Sequence, residues 1–233
     1  MRIEFINSDP TIAKYWQPIP AGDKIPEFIK NLPDVKDSYE TSEKIIDNIK
    51  ACLPVMDYIS AGYLLPVCFE CCITTSVRNF SEVVTLQSAR IQDLSNPEIK
   101  TSKLAAIFGK STCPFTGKDS PKHFFKYTTD WAIKTPPGYS CLIMQPFFDK
   151  DKKITIIPAI IDTDVYHKPI PISGYLNTKE EVRLRPGDYM IQAIPFKRDN
   201  WTMSVSEGAP INSTKFFIYN VYKRIHHQIK KFV

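Results

Sequence analysis

Apolar and polar positions change rhythm twice along this chain, and the changes predict a partly helical start followed by a β-rich body. Over residues 41–53 the apolar side chains Ile45, Ile46, Ile49, Cys52 and Leu53 recur at helical spacing, with Thr41 or Ser42 placed to cap the first turn. Pro54 stands where a first helical position tolerates it, and residues 55–61 add a turn that ends at Gly62. Residues 63–75 are continuously apolar, β-branched and aromatic, which predicts a strand buried on both faces, and residues 80–86 read as its hairpin neighbour. Asn96 as cap, Pro97 as first residue and Gly109 as stop bracket a further helix with Ile99, Leu104, Ile107 and Phe108 as its stripe.

From Trp131 onward the pattern becomes one of short strands. Residues 131–134, 139–148, 154–161, 171–176, 189–196 and 201–205 are separated by turn signals such as Pro136-Pro137-Gly138 and Arg185-Pro186-Gly187-Asp188. The tail, 212–233, carries Phe217, Val221, Ile225 and Ile229 on one helical face with Ser213 as cap. At the other end, residues 2–6 form an edge strand, and the prolines Pro10, Pro18, Pro20, Pro26 and Pro33 make 1–40 an extended arm. Tyr15, Trp16 and Phe28 require that arm to pack on the body.

These elements predict a mainly β fold: a distorted β-barrel or two-sheet sandwich with short N-terminal helices and a C-terminal amphipathic helix. At 233 residues and 43% hydrophobic content the chain can bury one core, so it reads as a single domain, 1–233, with the arm at 1–40, a helical segment at 41–62, the β-rich body at 63–210 and the tail helix at 212–233. Nineteen prolines against eight glycines favour many short elements joined by stiff connections.

The first ten residues include Glu4, Asn7, Ser8 and Asp9, and no apolar run reaches the ~20 residues that cross a bilayer, so the expected location is the cytoplasm, a host's cytoplasm or a virion, with no membrane partner. In that compartment the six cysteines are reduced thiols. Cys68-x-x-Cys71-Cys72 has the spacing of half a metal site, but strand alternation would send Cys68 and Cys71 to opposite faces and no second pair follows, so no metal site is expected. Gly109-Lys110-Ser111 lacks the upstream glycine of a phosphate loop, and His226-His227 sits in a basic helix end that the helix dipole favours without any ligand. The net charge of +5 is spread along the chain, which makes a nucleic-acid partner an unneeded assumption.

One constellation carries possible chemistry. Ile160-Ile161-Asp162-Thr163-Asp164-Val165-Tyr166 puts two carboxylates and a phenol directly after an apolar strand, and Leu184-Arg185-Pro186-Gly187-Asp188-Tyr189-Met190-Ile191-Gln192 follows after a strand-sized interval. Together with Thr135-Pro136-Pro137-Gly138-Tyr139, this stretch, 133–198, resembles the dUTPase and dCTP-deaminase barrel family. The resemblance implies that Asp162, with Asp164 beside it, orients or activates the attacking water, that Tyr166 stacks on the deoxyribose, and that Gly187 and Gln192 shape the neighbouring turn. Phosphate ligands would then come from Lys134, Arg183, Lys197 or Arg198, with Mg2+ as the cofactor of that reaction only. Where the family has its phosphate-binding arginine, serine and glycine, this chain has Phe147-Phe148-Asp149, and the predicted tail helix stands in place of the family's glycine-rich arm.

Tyr15-Trp16-Gln17-Pro18-Ile19-Pro20-Ala21-Gly22, Ala61-Gly62-Tyr63, Ile133-Lys134-Thr135-Pro136-Pro137-Gly138-Tyr139-Ser140 and Ile194-Pro195-Phe196-Lys197-Arg198 also resemble segments of an uncharacterised family of proteins from tailed phages and marine bacteria. That likeness implies a phage- or virus-type source and no activity. The reading that follows is a non-catalytic assembly or interaction module with a protein partner or self-association. The alternatives are a nucleotide hydrolase or deaminase using Asp162, or a nucleotide binder in the same cleft.

Overall fold

The computed structural model describes residues 1–32, 49–78, 81–91, 99–102, 106–107, 123–148, 153–178, 180–205 and 207. The chain divides into two compact units, one made of Met1–Lys24 with Ile59–Arg198 and the other of Ile25–Tyr58 with Asp199–Val233. Along the first part run β1 (Glu4–Ile6), α1 (Pro10–Tyr15), β2 (Ile19–Pro20), α2 (Glu27–Lys30), α3 (Leu53–Ser60) and β3 (Tyr63–Pro66). There follow β4 (Glu70–Arg78), β5 (Ser81–Ile91), β6 (Ile99–Ser102), β7 (Ala106–Ile107), β8 (His123–Lys134) and β9 (Tyr139–Met144). The remainder is β10 (Ile154–Ile156), β11 (Ala159–Ile161), β12 (Pro169–Leu176), β13 (Val182–Leu184) and β14 (Tyr189–Lys197).

The fourteen strands among the described residues belong to the first unit and pair antiparallel in three open sheets, ordered β1-β8-β12-β10 with β7 also on β8, β11-β9-β14-β3-β2, and β13-β4-β5-β6. The alternation of a half-buried strand is plain in β12, where Ile170, Ile172 and Leu176 turn inward, and in β8, where Phe125, Tyr127, Trp131 and Ile133 do. These side chains meet Leu65, Cys141, Ile143, Ile154, Ile156, Met190 and Ile191 in one hydrophobic core. Central β14 buries Met190, Ile191, Gln192 and Ala193 in succession, as a strand covered on both faces must.

The mainly β class stands, and the two-sheet sandwich or closed barrel gives way to three sheets that do not close. Two corrections explain most of the difference. Residues 63–75 are not one strand: Pro66 ends β3, Val67 and Cys68 bend away, and β4 starts afresh in another sheet. Residues 154–161 are likewise split at Pro158, which cannot donate to a ladder, so β10 and β11 join different sheets.

The helix expected over 97–109 is replaced by β6 and β7, which pair with β5 and β8. Its stripe was only partial, and Ile99 and Thr101 are β-branched, so ladder pairing wins. The arm is not simply extended, because Asp9 caps α1 by accepting from Thr11 N and Ile12 N, with Pro10 at the first position. Trp16 packs against the core as required, but Tyr15 and Phe28 are exposed. Residues 201–205 form no strand, and β13 arose where none was expected. The expected helices at 41–53 and 212–233 lie mainly or wholly outside the described residues, as do Gly109-Lys110-Ser111 and His226-His227. In the second unit, Lys50 Nζ closes on the carbonyl of Lys30 at 2.9 Å. Among the described residues no helix is long and apolar enough to cross a membrane.

Candidate functional site

Strand order brings the carboxylates to the entrance of β9. In the second sheet β9 lies between β11 and β14, with Ile161 opposite Cys141 and Lys197 opposite Tyr139. The residue after β11, Asp162, therefore falls beside Ser140, and the residue after β14, Arg198, falls beside Gly138, whose carbonyl accepts from Arg198 N at 2.8 Å. The turn at 162–165 is closed by Val165 N and Tyr166 N, both donating to Asp162 O, at 3.0 and 2.8 Å. Beneath it the hydroxyls of Thr135 and Thr163, both buried, share a 2.7 Å hydrogen bond.

The side chains close into one polar cluster. Ser140 Oγ donates to Asp162 Oδ1 at 2.6 Å, and Arg198 Nη1 lies 2.9 Å from the same oxygen. Arg198 grips Asp164 with both arms of its fork, Nη1 to Oδ1 at 2.9 Å and Nη2 to Oδ2, and Nη1 also donates to Ser140 Oγ at 3.0 Å. Gly138 N completes the set by donating to Asp164 Oδ2 at 2.8 Å. The Asp164 side chain is 7% exposed, the Arg198 side chain 37% and that of Asp162 60%, so the cluster runs from a sealed inner end to an open outer one.

The electrostatics follow from these contacts. The Ser140 hydroxyl, then Arg198, holds the Asp162 carboxyl below its ordinary value; Arg198, then the Gly138 amide, does the same for Asp164; and the two carboxylates push Arg198 up. A general base works best with a pKa near the ambient pH, so Asp162 is moved away from that role. Three of the four carboxylate oxygens accept from the guanidinium, the hydroxyl or the amide, and the fourth, Oδ2, belongs to the more exposed Asp162.

Of the residues singled out from sequence, Asp162, Asp164 and Arg198 come together and the others do not join them. The Tyr166 ring packs partly buried against the core, with its hydroxyl 3.5 Å from Pro169 O. Gln192 is buried in β14 and donates to Ala61 O at 2.8 Å. Lys134 ends β8 exposed opposite Glu4, and Lys197 is exposed at the end of β14. Arg183, in β13, lies 3.4 Å from Glu70 and 2.9 Å from Glu181. Gly187 belongs to the 185–188 turn, where it packs on Trp16. Ser140 and Gly138 were not singled out as site members, Ser140 being read as part of a strand and Gly138 as part of a turn; their link to Asp162 and Asp164 depends on β9 pairing with β11, which no local pattern encodes.

Cys68 lies between β3 and β4, buried, with its thiol pushed up by desolvation and its Sγ 3.6 Å from Pro66 O. No group of three or more His, Cys, Asp or Glu side chains among the described residues could hold a metal ion.

No protein-family model and no curated protein matches the chain. Among solved structures it is similar to the EIAV dUTPase in its native form, at 14% sequence identity and a TM-score of 0.36, over 65% of this chain and 87% of that one.

Proposed function

We propose that this chain is a non-catalytic β protein that works as an assembly module and associates with further copies of itself. The observation that carries the reading is the stretch after Arg198, where Trp201, Met203 and Val205 are 90%, 91% and 88% exposed and alternate with Thr202 and Ser204. Period-two alternation is the pattern of a strand with one apolar face; within one copy residues 201–205 form no strand, and their apolar side chains stay in water. Keeping a Met or Val side chain out of an apolar contact forgoes about 1.5–3 kcal/mol each. A second copy supplies the same strip and so a self-complementary apolar surface.

The carboxylate cluster supports the non-catalytic half of the reading. Arg198, the basic residue nearest the carboxylates, is consumed by them, and the cluster carries one net negative charge, which repels a triphosphate.

Two measurements test this. Light scattering on the eluted protein is expected to give a multiple of the chain mass, and the triple substitution Trp201→Ser, Met203→Ser, Val205→Ser is expected to return it to a single chain with unchanged circular dichroism. A wild type that is monomeric at every concentration removes the assembly reading. Incubation with deoxynucleoside triphosphates and Mg2+ is expected to give no turnover; hydrolysis or deamination that disappears in Asp162→Ala would establish the enzyme instead.

A further inference from the structure

The first unit carries an open groove of about 280 Å3 well apart in sequence from the carboxylate turn, and three aromatic rings line it: Tyr15, Trp16 and Tyr189. Its apolar walls are completed by Ile19 and Pro66. Trp16 can lie on the 185–188 turn because residue 187 has no side chain. Gly187 has a φ of 92°, and a Cβ there would stand 3.0 Å from Cζ3 of Trp16. The 185–188 turn is tied to the chain after β3, with Gly187 N donating to Val67 O and Val67 N donating to Asp188 O, both at 2.8 Å. The groove is thus built on the sheet and not on a loose loop.

We infer that this groove binds an extended, proline-containing peptide segment of a partner protein, flanked by acidic residues. The inference goes beyond self-association, since it concerns a different surface and a different partner. An open trough suits a ligand that runs through it, whereas a small molecule is held by a cleft that surrounds most of its surface. Flat aromatic walls with a proline beside them match the ridged surface of a polyproline II helix, whose backbone is already extended and loses little entropy on docking. Polar groups decide between ligand classes. Gln17 lines the groove, but its Nε2 already donates to Ala13 O at 2.7 Å. The remaining polar side chains are two phenols, the Trp16 indole N–H and Lys14, a set richer in donors than acceptors that suits the free carbonyls of a polyproline backbone better than the N–H groups of an ordinary extended peptide. Proline has no backbone N–H to strand there. Among the described residues the sole charged one lining the groove is Lys14, whose ammonium is 5.0 Å from the centre of the Tyr15 ring, and no carboxylate does. An acidic flank complements that charge, while one lysine is a poor grip for the phosphates of a nucleic acid.

The test uses the full chain and fluorescein-labelled peptides of four consecutive prolines flanked by glutamate, read by anisotropy. Saturable binding is expected, with affinity lowered about tenfold by Tyr15→Ala, a substitution at a 54% exposed residue that leaves the core intact. Lys14→Glu is expected to weaken the glutamate-flanked peptide and spare a serine-flanked one. The inference fails if an all-alanine version of the peptide binds equally well, if Tyr15→Ala changes nothing, if no peptide binds, or if a labelled oligothymidine binds in a Tyr15-dependent way while the proline peptide does not.

Discussion

Gly62→Ala is expected to cost about 3 kcal/mol or more, read as a large fall in the urea midpoint with an unchanged slope. Gly62 joins α3 to β3 with a φ of 67°, a conformation that by itself costs an L residue about 1–2 kcal/mol. The close approach adds to this. A Cβ at 62 would stand 2.1 Å from Ala193 O and 2.9 Å from Ile194 Cα, and both are backbone atoms of central β14. No side chain can swing aside, so β14 and β3 must separate where Ala193 faces Tyr63, and the 2.9 Å bond from Ala21 N to Gly62 O is put at risk as well. Gly138→Ala serves as the control. Its φ of 82° imposes the same conformational cost, but a Cβ there meets nothing within 4 Å. Equal losses in the two variants would show that the approach to β14 contributes nothing.

The same glycine shows what local pattern can and cannot convey. Its place as the stop of a helix was legible from Pro54 and the apolar turn before it, because capping chemistry is local. Its contact with Ala193 was not, since 131 residues separate Gln192 from its hydrogen-bond partner Ala61 in the same region. The β texture beyond Trp131 could be read because alternation is intrinsic to a strand, and the end of β8 with β9, β12 and β14 lie where it pointed. Which sheet each strand joins could not, and so 63–75 and 154–161 each read as one strand, although Pro66 and Pro158 are exits from one sheet to another. Asp162 and Asp164 stood out because they directly follow an apolar strand, where a loop can present carboxylates to a pocket. Their partners were hidden: Ser140 is 22 residues away and Arg198 is 34 residues from Asp164, and they meet only through the order β11-β9-β14.

Arg198→Ala is expected to lower the melting temperature at neutral pH, by an amount that shrinks as the solution is acidified. Both carboxyls sit below their ordinary value in the folded protein, so they bind protons less readily there than in the unfolded chain. Their contribution to stability is therefore complete above the unfolded value of about 4 and is lost as the pH falls through the lower folded values. Removing Arg198 takes away a main cause of the depression at both residues. It also leaves Asp164, at 7% side-chain exposure, with Gly138 N as its hydrogen-bond donor and no countercharge in the cluster. Protonating that carboxylate relieves the variant and harms the wild type, so the two melting curves converge between pH 7 and pH values below about 4. Arg198→Lys, which keeps the charge and loses the two-armed grip, is expected to fall between them at neutral pH. A gap between wild type and Arg198→Ala that stays constant on acidification would mean that the arginine acts through its aliphatic packing, and the cluster would lose its standing as the electrostatic clasp that ties β11, β9 and β14 together at their ends.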